Sequence, residues 1–301
     1  MIIVKMQGGL GNQMFQYAFG LSIAQKLKSR LYFDTTFFNQ QHNLTPRKYE
    51  LDIFNAKINI AGDKLIGKFI SPGKLQRLKN KTGVGETTAY TESSLNYHAD
   101  VFSVKPPAYF EGFWPSERYF AEYRQQVRDS FAFKAPLSTK SMQLANTIQQ
   151  QQNAVSVHIR RGDYVSSAST NQIHGTCSLS YYQAAIDRIK QQVENPVFYL
   201  FSDDAEWVAQ NLLPGIPNAT LIQHNQGDDS WQDMALMSKC RHHIIANSSF
   251  SWWGAWLNPI KTKWLLRPKT GSTPHRSTLM LPILYPQTGP PSNECITHWY
   301  L

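Results

Sequence analysis

The strongest chemical signal in the chain is the run His158-Ile159-Arg160-Arg161-Gly162-Asp163, which follows the β-branched stretch Ala154–Val157. Such a stretch predicts a strand, and ligands of open α/β sheets bind beyond the carboxyl ends of their strands. The planar, permanently charged guanidinium of Arg160 suits a phosphate or pyrophosphate. Gly162 allows a sharp turn that keeps Asp163 near the cations. The run predicts an anion site, with a solvated Arg–Asp pair at a strand end as the alternative.

The run Val197–Ser202, which predicts another strand, ends at two consecutive carboxylates, Asp203 and Asp204. A carboxylate in this position can accept two N–H bonds from the base edge of guanine. The alternative is a cap on the following helix, because aspartate is a favoured N-cap residue. With two carboxylates present, both roles are open.

A third predicted strand, His242–Ala246, leads into a segment that contains Ser248, Ser249 and Ser251. This segment begins a predicted helix. Hydroxyl and N–H groups at a helix start bind phosphate well, and the helix dipole favours negative charge there. The three serines are therefore candidate phosphate ligands.

Near the start of the chain, a strand is followed by Gly8-Gly9-Leu10-Gly11-Asn12-Gln13, which opens a helix. The loop is neither a dinucleotide fingerprint, because its third glycine would fall at Met14, nor a Walker loop. Its N–H groups could hold an anion, with a plain tight turn as the alternative. The paired amides of Asn12 and Gln13 can orient hydroxyls and phosphate oxygens.

The elements that must position these residues alternate between strand and helix. The amino-terminal half begins with a strand, the glycine-rich loop, a helix over about 12–28 and the strand Leu31–Asp34, whereas residues 40–105 show no clear strand order. From Ala154 to Leu266 strands and helices alternate regularly, which predicts a parallel, doubly wound sheet. The polar run Gln149–Asn153 predicts a boundary between domains 1–150 and 151–301, with an exposed helix end as the alternative. We expect two facing α/β halves with a cleft between them.

Composition fits this architecture and indicates an anionic partner. The chain has 301 residues, 42% of them hydrophobic, and a formal net charge of +9. Between residues 57 and 81 a basic stretch is accompanied by Asp63 alone; its members are Lys57, Lys64, Lys68, Lys74, Arg77, Lys79 and Lys81. Because Phe69 is the one aromatic residue that the stretch offers for stacking, it argues against nucleic acid. The predicted partner is a lipid-phosphate-bound acceptor or an anionic membrane surface, with a solvated helix face as the alternative.

Targeting signals are not evident in the sequence. Met1 leads directly into a strand, without the zones of a signal peptide, and no apolar run reaches the length of a membrane span. We therefore expect a cytoplasmic protein, with a peripheral position at the inner face of the membrane as the alternative.

Five segments together resemble the α-1,2-fucosyltransferases of glycosyltransferase family 11. They are Gly8–Ala18, Gly112–Phe120, His158–Asp163, Phe201–Asp204 and Asn247–Leu257. They occur in the family's order and are spread over most of the chain, whereas residues 40–105 and 270–301 match little. The resemblance implies an α/β, GT-B-like fold of two facing Rossmann-like domains that uses GDP-fucose without metal. Residues 1–150 would form the acceptor side and residues 151–301 the GDP-fucose-binding domain.

The resemblance also implies roles for the donor-site residues. Arg160 would hold the β-phosphate and carry leaving-group charge, while Arg161 would brace the loop. His158, with Asp203 or Asp204, would recognise guanine.

The remaining candidate ligands come from both halves of the chain. Ser248, Ser249 and Ser251 would bond the phosphates, and Asn12 and Gln13 would line the cleft from the other domain. No cofactor is expected beyond GDP-fucose, the donor substrate. No Asp-X-Asp pair occurs in the sequence, so cations and N–H groups would stabilise the leaving group in place of a divalent metal.

The implied reaction is an inverting transfer of L-fucose to the 2-hydroxyl of a galactose residue, in an oligosaccharide or a lipid-linked glycan such as an O-antigen precursor. Asp163 is the candidate general base, with a loop-bracing role as the alternative. Glu111 and Asp34 are the other candidates, and the departing phosphate could take the proton instead. Two alternative functions remain: transfer of a different GDP-sugar, or nucleotide or glycan binding without catalysis.

Overall fold

The computed structural model describes residues 1–39, 46–71, 73, 80, 86–161, 177–260 and 264–268. The chain divides into two compact units, the first spanning Met1–Ala135 and the second beginning at Pro136. The sequence instead suggested a boundary after residue 150. The helix Thr139–Gln150 accounts for the difference, because its buried residues Ala145 and Ile148 join a hydrophobic cluster of the second unit.

The first unit contains a four-stranded sheet with helices between its strands and after the last of them. Its elements are β1 (Ile2–Lys5), α1 (Leu10–Lys26), β2 (Leu31–Asp34), α2 (Asp63–Ile70), β3 (Thr88–Thr91), β4 (Ala108–Glu111) and α3 (Arg124–Ser130). The strands are parallel and lie in the order β2-β1-β4-β3. The strand order therefore reverses between β1 and β4.

The second unit contains a five-stranded sheet, again with parallel pairs throughout. Its elements are α4 (Thr139–Gln150), β5 (Ala154–Ile159), α5 (Leu179–Gln192), β6 (Val197–Ser202), α6 (Ala205–Asn211), β7 (Ala219–Ile222), α7 (Trp231–Met237), β8 (His242–Ile244), α8 (Ser249–Trp256) and β9 (Leu265–Leu266). The strands lie in the order β7-β6-β5-β8-β9. This order reverses between β5 and β8, which is where ligands of doubly wound sheets bind.

The central strand β5 has apolar layers on both sides. All six of its residues are buried, as expected for a strand covered by helices on both faces of a parallel sheet. Val155, Val157 and Ile159 pack in the cluster that contains α5 and Val208 of α6. Ala154 packs in the other cluster, with α4 and α7. Odd and even residues of β5 therefore have different surroundings.

One predicted helix is interrupted in the structure. The sequence suggested a continuous helix from Ser116 to about Phe131, but the segment forms the 3-10 turns Glu117–Tyr119 and Ala121–Tyr123 before α3 begins. Tyr119 and Phe120 are both almost fully buried. An α-helix rotates by about 100° per residue, so it does not place two consecutive aromatic side chains on one core face. The broken geometry buries both.

Gln16 of α1 joins the ends of the two central strands of the first sheet. Its Nε2 donates to Gly112 O after β4 (3.0 Å), and its Oε1 accepts from Gln7 N after β1 (3.0 Å). The side chain has no exposed surface. Because buried backbone groups require partners, Gln16 satisfies one group in each strand-end loop.

We expect Gln16→Leu to lower the free energy of unfolding by about 2–4 kcal/mol, since it leaves a buried N–H and a buried C=O without partners. Urea unfolding at neutral pH measures the change. Gln25→Leu is the matched control, because Gln25 lies exposed on the same helix, and it should change stability by less than about 0.5 kcal/mol. Equal effects of the two substitutions would contradict this role for Gln16.

Candidate functional site

The polar residues identified in the second half of the chain follow three neighbouring strands of one sheet. Arg160 follows β5, Asp203 follows β6, and Ser248 and Ser249 lie four and five residues after β8. Parallel strands place their carboxyl ends at the same edge, so the structure brings these segments together at the reversal of strand order. The ring of His158 at the end of β5 lies 5.5 Å from that of Phe250 in α8.

Asp203 holds two consecutive residues of the neighbouring strand end. Its Oδ2 lies 3.0 Å from Arg160 Nη1, and its Oδ1 accepts from Arg161 N at 2.8 Å. The side chain of Arg160 keeps 26% of its surface exposed. A charge-assisted contact of this kind orients the guanidinium while leaving it accessible. Asp203 thus fixes both the backbone and the cation at the end of β5.

Arg161 lies in different surroundings. Its Nε is 3.3 Å from Asp204 Oδ2, and its Cζ lies 4.0 Å from the centre of the Trp207 ring. Asp204 Oδ1 accepts from Trp207 N (3.1 Å), so Asp204 caps α6. Of the two roles open for this carboxylate, the structure shows the helix cap. These contacts also fit the loop-bracing role expected for Arg161.

His158 is a buried, uncharged histidine beside the cation. Burial lowers the pKa of its imidazole to about 4; Arg160 adds to this effect, and Asp203 partly opposes it. The ring is therefore neutral at neutral pH. Its Nδ1 is buried and meets no hydrogen-bond partner in the described part of the chain. Since buried polar atoms normally have a partner, this nitrogen is a candidate ligand contact.

The three candidate serines differ in accessibility. Ser248 caps α8 by accepting from Phe250 N (3.2 Å). Ser251 has no exposed surface, and its hydroxyl lies 2.9 Å from Ser248 O, to which it donates. Ser249, by contrast, is half-buried. The geometry therefore favours Ser249 and the helix start over Ser251 as groups that reach a ligand.

The glycine-rich loop of the first unit is held from within. Gln13 Nε2 donates to Gly8 O (3.0 Å) and Lys48 O (2.9 Å), while its Oε1 accepts from Glu50 N (2.9 Å). The side chain is fully buried, so these contacts brace the loop. Asn12 is half-buried and lies against Gly8, which has a φ of +78°.

The candidate bases of the first unit already have partners. Glu111 Oε1 lies 2.6 Å from Lys5 Nζ. Asp34 accepts from the Tyr109 hydroxyl (2.7 Å) and from both the N–H and the hydroxyl of Thr36. Asp163, the first candidate, lies outside the described residues together with Gly162.

A half-buried carboxyl group that the sequence analysis missed lies near the end of β7. Asn225 Nδ2 donates to Asp233 Oδ1 (2.7 Å), and Asn225 Oδ1 accepts from Ser141 Oγ (2.9 Å). Burial raises the pKa of the Asp233 carboxyl from 3.8 to about 7. The available signal was an acidic residue inside the otherwise apolar helix α7, whose residues Met234–Met237 are all buried.

The described ranges contain no group of three His, Cys, Asp or Glu side chains arranged to hold a metal ion, and no helix with the length and apolar character of a membrane span. Lys57, Lys64 and Lys68 of the basic stretch are exposed. Its other members lie outside the described ranges; they are Lys74, Arg77, Lys79 and Lys81.

The raised pKa of Asp233 predicts a pH-dependent stability. Between about pH 4 and pH 7 the folded state binds a proton that the unfolded state has released, so this carboxyl stabilises the fold at low pH and the contribution is lost as the pH rises through about 7. Asp233→Asn should therefore gain stability relative to the wild type as the pH rises across this range. Urea unfolding at several pH values measures the difference, and the exposed Asp187→Asn is the control. A stability difference that does not change with pH would contradict the assignment.

The chain is similar in sequence to three curated relatives. The chain is 37% identical over 261 residues to an alpha-1,2-colitosyltransferase of Escherichia coli, covering 85% of this chain and 87% of the relative. It is 32% identical over 280 residues to the O-antigen biosynthesis glycosyltransferase WbnK of Escherichia coli, covering 88% and 92%. A more distant relative is human galactoside alpha-(1,2)-fucosyltransferase 1, 28% identical over 152 residues, covering 48% and 42%.

The structural likeness extends over nearly the whole chain. The crystal structure of the alpha-1,6-fucosyltransferase NodZ soaked with GDP-fucose superposes with a TM-score of 0.52 at 13% identity, covering 93% of this chain and 99% of that one. The predicted α/β, GT-B-like fold class is thereby confirmed. The family model "Glycosyl transferase family 11" matches residues 86–277. On these matches, the chain belongs to glycosyltransferase family 11.

Proposed function

We propose that the protein transfers L-fucose from GDP-β-L-fucose to the 2-hydroxyl of a galactose residue, with inversion, to form an α-1,2 linkage. The second unit would bind the donor and the first unit the acceptor. Two named relatives support the linkage, since both are alpha-1,2 transferases. The human relative, a galactoside transferase, supports the galactose acceptor.

The observation that carries this proposal is the Arg160–Asp203 pair at the reversal of strand order in the second sheet. When the bond between fucose and phosphate breaks, negative charge grows on the departing GDP. Arg160, held by Asp203 at 3.0 Å and still partly exposed, can meet that charge without moving. A preorganised cation of this kind contributes more to the transition state than to the ground state.

The surrounding groups complete a donor site. The start of α8, with Ser249 half-buried beside it, offers N–H and hydroxyl donors to the phosphates. His158, which is neutral and has an unpartnered Nδ1 among the described residues, is suited to a hydrogen bond with the base. Asp203 pairs with Arg160, while Asp204 pairs with Arg161 and caps α6. We therefore assign the two aspartates to positioning the arginines and the helix start.

We further propose that the reaction requires no divalent metal, because Arg160 and the helix start would supply the charge stabilisation. The acceptor hydroxyl loses its proton as its oxygen bonds to the anomeric carbon, while the leaving electron pair goes to the phosphate. Asp163 remains our candidate for the base, with the departing phosphate as the alternative. Asp203 and Asp204 pair with Arg160 and Arg161, and a loop-bracing role for Asp163 stays the alternative to a role as base.

A second candidate donor is suggested by the colitosyltransferase relative, which is 37% identical. Colitose is L-fucose without the 3-hydroxyl. A site that hydrogen-bonds this hydroxyl rejects the deoxy sugar strongly, whereas an apolar site rejects the hydroxyl only weakly. Competition between GDP-fucose and GDP-colitose therefore separates the two donors.

The exposed Lys57, Lys64 and Lys68 keep open the proposal of a lipid-linked acceptor or an anionic membrane surface. Sedimentation with vesicles that contain anionic lipid tests it. Binding that does not weaken when these lysines are replaced by glutamine would rule out this surface.

We expect Arg160→Ala to lower the rate of fucosyl transfer about 10²–10³-fold, because it removes one preorganised cation from the leaving group. The assay uses GDP-fucose, lactose and EDTA, with GDP release and the linkage of the product as readouts. Arg160→Lys should recover part of the rate, since it restores the charge without the planar geometry.

Arg188→Ala is the matched control, because Arg188 is exposed on α5 and bonds only weakly to Gln191 at 3.5 Å. It should leave the rate unchanged. If the wild type neither transfers fucose nor releases GDP with any galactoside, the proposed function is wrong. Transfer that stops in EDTA would overturn the metal-independent route alone.

A further inference from the structure

The turn Gly112–Trp114 of the first unit has no part in the donor chemistry above. It follows β4, beside β1, where the strand order of the first sheet reverses. Its neighbour across the sheet is Glu92, which follows β3 and donates its N–H to Glu111 O at 2.8 Å. Glu92 and Gly112 therefore lie side by side, one residue beyond the last paired positions of their strands.

Glu92 holds this turn through its carboxylate. Its Oε2 accepts from Phe113 N at 2.7 Å, and its Oε1 accepts from Trp114 N at 3.2 Å. Consecutive N–H groups form a concavity that binds anions. Here the chain fills that concavity with its own carboxylate, so the backbone at Phe113 is fixed from one side.

Gly112 completes the close approach between the two strand ends. A Cβ at this position would lie 2.5 Å from Glu92 Cβ, closer than any side chain tolerates. The carbonyl of Gly112 accepts from Gln16, as described above. The carbonyl of the turn and its next two N–H groups are thus all held by neighbouring side chains.

Trp114 fixes the direction of the chain beyond the turn. It has a φ of +55° and no exposed surface, and its ring stacks on Phe19 at 4.1 Å. A bulky residue in the left-handed region is strained and persists only where its surroundings require it. Phe113, between the buried Gly112 and Trp114, remains half-buried. No ring contact is found for Phe113 in the described part of the chain.

We propose that Phe113 forms the surface on which the acceptor sugar packs, and that Glu92 is the positioning residue that holds it there. This inference rests on the proposed function and names the acceptor subsite within the first unit. A hexopyranose has an apolar C–H face and a rim of hydroxyls, and small-ligand sites combine aromatic surface with a few polar groups. Lys5 and Glu111, paired and partly exposed at the adjacent strand ends, supply such groups.

The protonation state of Glu92 makes the hold on this turn depend on pH. Burial raises the pKa of its carboxyl to about 7, against the effect of its two N–H bonds. Tyr90 and Tyr119 are the titratable groups that interact with it, and the pKa of each is raised above its usual value, so both stay neutral near pH 7. Above about pH 7 the ionised carboxylate holds both N–H groups; below it, the protonated acid loses part of that capacity.

The first test replaces the ring. Phe113→Leu keeps an apolar side chain but removes the flat surface, and we expect the acceptor KM for lactose and methyl β-D-galactoside to rise about tenfold or more. The Kd for GDP-fucose, measured by calorimetry, should not change. Phe113→Tyr should restore the acceptor KM. Phe102→Leu is the control, since Phe102 is also half-buried in the first unit and should leave the acceptor KM unchanged.

The second test changes the residue behind the ring. Glu92→Gln keeps the shape but not the charge, so the acceptor kcat/KM should fall and should lose the rise with pH that the wild type shows near pH 7. Glu122→Gln, at an exposed site paired with Lys26, should retain that rise.

The outcomes separate the two levels of inference. Wild-type transfer with an acceptor KM that is insensitive to Phe113→Leu would overturn the subsite and leave the proposed function intact. An equal loss of GDP-fucose binding in Phe113→Leu would show a general structural defect and also reject the subsite. A wild type that neither binds nor hydrolyses GDP-fucose would remove both proposals together.

Discussion

A parallel strand that is buried on both faces has only its end available for chemistry. This constraint governs the second unit, where all six residues of β5 are buried and the chemically active groups begin at His158. The same constraint acts on the neighbouring strands, so their polar residues collect at one edge of the sheet. The strand order reverses between β5 and β8, which is the position where ligands of doubly wound sheets bind.

Buried side-chain amides and hydroxyls keep these strand ends in place. Gln13 and Gln16 each bond to backbone groups of two different segments of the first unit. In the second unit the His243 ring lies between Ser156 Oγ (2.8 Å) and Asn258 Nδ2 (2.9 Å), which links β5, β8 and the chain after α8. Fully satisfied networks of this kind rigidify their surroundings. The loops that carry the candidate site are thus supported by residues that need not touch a ligand.

Much of the second unit could be predicted from the sequence, because its strands are apolar runs separated by helices of clear period. The pairing order could not, since it depends on which strands meet in three dimensions. In the first unit the sequence does not predict β3. Its four residues, Thr88–Thr91, lie at the sheet edge and alternate between half-buried and exposed, so they form no apolar run.

The sequence proposes candidate site residues, but it does not predict the contacts that each of them makes in the fold. Two neighbouring aspartates look alike in a sequence. The fold shows that Asp204 accepts a hydrogen bond from Trp207 N, whereas Asp203 pairs with Arg160. Ser251 belongs to a predicted phosphate segment, yet the helix turns its hydroxyl inward. Asp233 gave no motif, because its significance comes from burial and not from spacing.

The alternating surroundings of β5 extend past its end and make the two arginines non-equivalent. His158 and Arg160 follow the even positions, with His158 next to Phe250, whereas Arg161 follows the odd positions to Trp207. Arg161 therefore does not duplicate the role of Arg160. Deleting or inserting one residue in β5 would invert the alternation on one side of the change relative to the other, so that either the two arginines or the buried side chains before them would exchange surroundings. A change in the length of this strand would therefore disrupt either the candidate site or the core.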